Sequence, residues 1–116
     1  MCIRDRDWTT GNEELYNNIR VFSQVEVVAT GDQVQNPNKK QLEKNPNAKP
    51  KKAKAVVAWT NLYGPNKTKI FCTSLGHENK TVGDDRYLDL IVHGLLWTTD
   101  NLTADGKPAA GMVKQK

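Results

Sequence analysis

Cysteine is scarce in this 116-residue chain. Cys2 and Cys72 are too few for a disulfide framework, and no CxxC or HExxH spacing assembles a metal site locally. A disulfide scaffold and a zinc finger are therefore excluded, and neither a metal nor a cofactor is expected. No apolar run approaches the roughly 18 residues of a membrane span, and the N-terminus lacks the apolar stretch of a signal peptide. The chain is expected to make no membrane contact, while its compartment, cytoplasmic or periplasmic, stays open. Charge is moderate, with 26% charged residues and a net charge of +4. This is neither a collapsed apolar segment nor a highly charged disordered one, and the length allows one small domain.

The basic excess has a single source. Between residues 36 and 54 lie Lys39, Lys40, Lys44, Lys49, Lys51, Lys52 and Lys54 against Glu43 alone, a local +6. The net +4 less that +6 leaves −2 for the remainder, so the body is mildly acidic. Pro37, Pro46 and Pro50, interleaved with asparagines, make this stretch a loop insertion, because proline donates no ladder hydrogen bond and its predecessor avoids helix. Neither arginine forks nor aromatic platforms accompany the lysines, so a solvated connector is expected in place of a nucleic-acid site. The string ATG-TGT-ATA-AGA-GAC-AG would encode residues 1–6, Met-Cys-Ile-Arg-Asp-Arg, up to the last base. That string resembles a transposase sequencing adapter read in frame, and the six residues are read as an artefact.

Three ordered regions are expected. Val25, Val27 and Val28 within residues 25–30 suggest a strand closed by Gly31, preceded by a loop with a brief turn at 11–17. Residues 55–60 and 69–75 are β-rich runs around Gly64-Pro65-Asn66 and read as a hairpin. Their nearly continuous apolar character fits strands covered by helices on both faces. The third region, residues 85–98, repeats Tyr87, Leu88, Ile91, Val92, Leu95 and Leu96 at helical spacing behind a cap at Asp84 or Asp85. Gly94 inside this helix costs about 1 kcal/mol of propensity against Ala, which predicts close approach to a strand. Residues 103–116 read as a mobile tail. The ordered regions, with 15–30 in place of 25–30, are small for an independent core. That size, together with the adapter-like start, suggests that an N-terminal half of the domain is missing.

Chemistry concentrates at Thr73-Ser74-Leu75-Gly76-His77-Glu78. This stretch leaves a strand and precedes the helix, and ligands of open α/β sheets bind at the carboxyl ends of strands. Gly76 lets the backbone bend, Ser74 adds a hydroxyl, and His77 can act as base, acid or ligand. A loop histidine simply held by Glu78 is the structural alternative. Cys72 reads as a small apolar strand residue and His93 as half of an exposed helical pair with Asp89.

At these residues the chain resembles a known family. Ala58-Trp59-Thr60, Tyr63-Gly64, the run from Lys69 to His77, and His93-Gly94-Leu95-Leu96-Trp97 are similar to the C-terminal segment of ThuA-like, or trehalose-utilisation, proteins. Those end in a W…YG.GRVFYTSLGH strand pair and an RG(I/L)LWA helix, and Glu13-Glu14-Leu15-Tyr16 resembles their upstream (D/E)ELY. The likeness covers most of 7–102 apart from the insertion at 36–54. Cys72 stands where the family usually has Tyr and His93 where it has Arg. The resemblance implies an α/β fold, the C-terminal part of a flavodoxin-like sandwich of the class I glutamine amidotransferase-like superfamily, with a β-hairpin followed by a C-terminal helix. It implies no functional amidotransferase, since a nucleophile elbow would lie in the missing half.

By the same resemblance, Tyr16, Trp59, Gly76 and His77 are pocket candidates, while Gly94 and Trp97 belong to packing. His77, oriented by Glu78 or another carboxylate, is the expected catalytic or binding group for a sugar hydroxyl. Tyr16, Trp59, Tyr63, Ser74 and Gly76 are the expected substrate contacts, because aromatic faces suit pyranose rings. The expected partner is a small sugar, trehalose or a related disaccharide, with a homo-oligomer left open and no nucleic acid. A non-catalytic sugar- or protein-binding module of a larger protein is the alternative.

Overall fold

A computed structural model describes residues 7–112. The elements are β1 (Glu26–Gln35), α1 (Lys39–Lys44), β2 (Lys51–Tyr63), β3 (Thr68–Thr73), α2 (Asn79–Val82) and α3 (Asp85–Thr98). The strands form one antiparallel sheet in the order β1-β2-β3. With α3 packed on β3, this is a small α/β arrangement consistent with part of a flavodoxin-like sandwich. The region read as an adapter artefact lies outside the described residues.

The hairpin forms as expected. Tyr63 pairs with Thr68 and Ala58 with Thr73, and the turn closes through the Lys67 amide donating to the Gly64 carbonyl at 3.1 Å. Helix α3 has the predicted limits, and Asp84 caps it by accepting from the Arg86 amide at 2.9 Å. The same carboxylate accepts from the Arg86 side chain at 2.8 and 2.6 Å. Those side-chain bonds, with the cap amide, hold Asp84 at about 2, well below its usual value.

Paired residues of an antiparallel sheet project to the same face, which sorts the packing. Phe71 and its partner Thr60 share the face covered by α3, and there the helix comes close at Gly94. A Cβ at Gly94 would stand 2.3 Å from Phe71 Cδ1, so the close approach predicted from a helix-interior glycine is what the packing uses. Ala58, Leu90 and Leu96 are buried on this side together with Thr60, while Val57 is buried on the other face.

Among the described residues no helix covers the opposite face, contrary to expectation. A strap without regular secondary structure, residues 11–16, lies on it instead, with Leu15 over Gly31 beside Val57. Apolar strand runs record burial on both faces but not the kind of element that supplies it. Gly31 is likewise no terminator. A Cβ there would lie 3.0 Å from Val57 Cγ1 and 3.1 Å from Leu15 Cδ1, so the glycine makes room for the strap and β1 continues to Gln35.

The Lys-rich stretch also carries more structure than a connector. Lys51, Lys52 and Lys54 belong to β2 and pair with Gln35, Val34 and Asp32, the last an opposite-charge cross-strand pair. Between the strands, α1 is closed by a reciprocal capping box. The Asn38 side chain accepts from the Gln41 amide, and the Gln41 side chain accepts from the Asn38 amide, both at 2.9 Å.

Beyond α3 the segment read as a tail makes definite bonds. Leu102 bridges to Pro108, and the Ala109 amide donates to the Asn101 carbonyl at 2.7 Å. His93 meets this segment, with Nε2 3.0 Å from the Gly106 carbonyl and Nδ1 2.6 Å from the Asp89 carbonyl. Its neighbour at Asp89 is thus the backbone oxygen, not the carboxylate of a helical ion pair.

Candidate functional site

Strands β1 and β3 run parallel to each other on either side of β2, so their carboxyl ends point the same way. At this end the strap, the last residues of β1 and the loop after β3 enclose a cleft of about 610 Å³. That volume lies within the roughly 300–1,000 Å³ of small-molecule sites. The strap supplies Asn12, Glu13, Glu14, Leu15 and Tyr16, β1 supplies Gln33 and Gln35, and the loop supplies His77 and Glu78.

The loop owes its shape to Gly76. Its φ of 109° lies in a region that side chains avoid, and a Cβ would stand 2.7 Å from the Tyr87 hydroxyl at the start of α3. In this conformation three successive amides face one carboxylate. Glu13 Oε1 accepts from Gly76 at 3.2 Å and from His77 at 2.7 Å, and Oε2 accepts from Glu78 at 3.4 Å. Burial acts to raise the Glu13 carboxyl, but these bonds and the neighbouring Thr81 hydroxyl outweigh it, so Glu13 sits below its ordinary value. The Thr81 hydroxyl is buried beside this carboxylate.

Glu14 faces the other way, toward the groups that can handle a proton. Its Oε2 is 3.9 Å from His77 Nδ1. Hydrogen bonding toward the Glu14 carboxylate, reinforced by its charge, also pushes the Tyr16 phenol up. The carboxylate beside His77 is therefore Glu14 and not Glu78, whose Oε2 is buried without a partner. A sequence neighbour need not be the ionic partner, and here the Glu78 carboxylate lies against Gly11 of the strap. On the β1 side, Gln35 Nε2 donates to Gln33 Oε1 at 3.0 Å, and Gln33 Nε2 reaches the Glu13 carbonyl at 3.5 Å.

Of the residues singled out from sequence, His77, Glu78 and Tyr16 line this cleft, and Gly76 shapes it. Ser74 lies just before the loop, where its amide donates to the Val57 carbonyl at 3.0 Å. Trp59 sits in mid-strand between Val27 and Cys72 and does not line the cleft. Tyr63 is at the turn end of the hairpin, 67% exposed and five residues along β2 from the Ala58–Thr73 pair where the loop departs. Glu13, Glu14, Gln33 and Gln35 were missed. The ELY-like segment signalled the first two, and Gln33 and Gln35 were hidden by ending β1 at Gly31.

Among the described residues no group of three or more His, Cys, Asp or Glu is arranged to hold a metal ion. Nor is any described helix long and apolar enough to cross a membrane.

The family model for ThuA, trehalose utilisation, matches residues 2–98, which include the strap, the sheet, the His77 loop and all of α3. The chain belongs to the ThuA family. Family membership connects the cleft-bearing chain to trehalose utilisation, without by itself assigning a substrate to the cleft. No curated protein and no solved structure gives a significant match.

Proposed function

We propose that the cleft binds a neutral sugar, trehalose or a related disaccharide, with His77 and Glu14 contacting one hydroxyl. The reading is carried by the convergence of a histidine from the loop with a carboxylate and a tyrosine from the strap on one polar cleft in a trehalose-utilisation domain. A sugar presents hydroxyls that both donate and accept. Gln33, Gln35 and Asn12 offer both functions, Glu14 accepts, and the Tyr16 ring supplies an aromatic surface. Tyr16, not Tyr63, is then the stacking residue.

The lining includes three glutamates and neither lysine nor arginine, which favours an uncharged sugar over a phosphorylated one. In this reading His77, whose Nδ1 lies 3.9 Å from Glu14 Oε2, takes a proton from a bound hydroxyl. The test is titration of the protein with trehalose and with a phosphorylated disaccharide, comparing wild type with His77→Gln. Trehalose binding that is lost in the variant and weakened by the phosphate supports the reading. Equal binding of both sugars, or a variant that binds as wild type does, removes it.

A further inference from the structure

Glu13 lies in a segment without regular secondary structure, yet its carboxylate accepts from the amides of Gly76, His77 and Glu78 at 3.2, 2.7 and 3.4 Å. These contacts span more than sixty residues and join two segments that share no ladder. Three amides on one carboxylate make a charge-assisted set, roughly twice as strong as bonds between neutral groups. The loop shape that presents these amides depends on Gly76, since its φ of 109° and the Tyr87 hydroxyl leave no place for a Cβ. On the strap side Glu13 is fixed as well, with Leu15 seated over Gly31 and Gln33 reaching the Glu13 carbonyl. The residue between them, Glu14, is the one beside His77.

We propose that Glu13 is the positioning residue of the cleft, clamping the His77 loop to the strap so that His77, Glu14 and Tyr16 face one another. Its carboxylate is committed to the loop amides and does not contact the ligand. The proposal rests on the sugar reading for its effect on binding, but its structural part is independent of any ligand. Protonation of Glu13, or its replacement by Gln, removes the charge from the clamp and places a donor against amides that are themselves donors.

The experiment is amide-resolved NMR with hydrogen exchange on the full chain, wild type and Glu13→Gln, each titrated with trehalose. In the variant the Gly76, His77 and Glu78 amides should lose about tenfold in protection while those of Leu90 and Leu96 keep theirs. Trehalose affinity should fall by about tenfold or more. Unchanged protection of the three amides overturns the clamp, and unchanged affinity despite lost protection overturns the positioning role. Should the variant not fold, the wild type still decides. Its three loop amides should shift together on acidification, with one midpoint below 4.5, the ordinary glutamate value; independent or absent shifts overturn the proposal. Failure of wild type to bind trehalose overturns the sugar reading and the positioning role together, while the amide measurements continue to decide the clamp.

Discussion

Replacing Gly94 by alanine tests the packing that holds α3 to the sheet. The added Cβ would lie 2.3, 2.5 and 2.6 Å from Phe71 Cδ1, Cγ and Cε1, where ordinary contacts are 3.4 Å or more. The obstacle is an aromatic ring packed between helix and strand, so the helix or ring must move by about 1 Å. Overpacking of this kind costs about 3 kcal/mol at the upper end of the usual range. Alanine offsets about 1 kcal/mol of that through its better helix propensity. The net loss is about 2 kcal/mol, or roughly 8–16 °C in melting temperature for a domain of this size. Thermal unfolding followed by far-ultraviolet circular dichroism measures it directly. Phe71→Leu in the same chain should recover part of the loss, because the smaller side chain yields where the ring does not. A melting temperature unchanged or raised by Gly94→Ala would refute the close approach of α3 and β3.

Four further outcomes are expected. Gly76→Ala should lower the melting temperature, and adding Tyr87→Phe should not restore it, because the positive φ remains strained after the hydroxyl is gone. The Glu13 carboxyl is depressed in the fold, so its contribution is complete above the unfolded glutamate value of about 4.5 and is lost as pH falls through the lower folded value. Melts between pH 6 and 3 should therefore show a steeper acid decline for wild type than for Glu13→Gln, and parallel curves would contradict this. His77→Gln should change stability by less than about 1 kcal/mol, since the side chain is exposed and its one neighbouring charge, Glu14, is exposed too. Replacing residues 36–50 by Asn-Gly should leave the melt nearly unchanged, because α1 buries no residue and Gln35 already pairs with Lys51 at the right spacing for a tight hairpin. Loss of cooperative unfolding in that deletion would show that α1 contributes to the fold.

The sequence alone determined the features that depend on neighbours within a few residues. Helix α3 was legible to the residue because the Asp84 side chain can cap only the turn directly after it and the apolar spacing of 87–96 is a property of one helix. Gly64-Pro65-Asn66 announced the hairpin turn for the same reason. The role of Gly94 was legible too, since a glycine that weakens its own helix implies a compensating contact, although nothing local named Phe71 as the partner. Gly31 shows where local reading fails. A strand glycine and a strand-ending glycine look alike in sequence, and the difference is made by Leu15, sixteen residues upstream, crossing the sheet above it. The site divides in the same way. His77 and its bent loop could be read from Gly76-His77-Glu78, but the carboxylate that serves His77 could not. Glu78 was the obvious neighbour along the chain, yet the fold sets its carboxylate against Gly11 and brings Glu14 across from the strap to His77. The clamp by Glu13 lies wholly in the tertiary structure, because a carboxylate and three amides separated by some sixty residues carry no joint signature in either segment. Local propensity fixes which elements form, whereas the choice among distant polar partners is made only once sheet register and the path of the strap have set which groups meet.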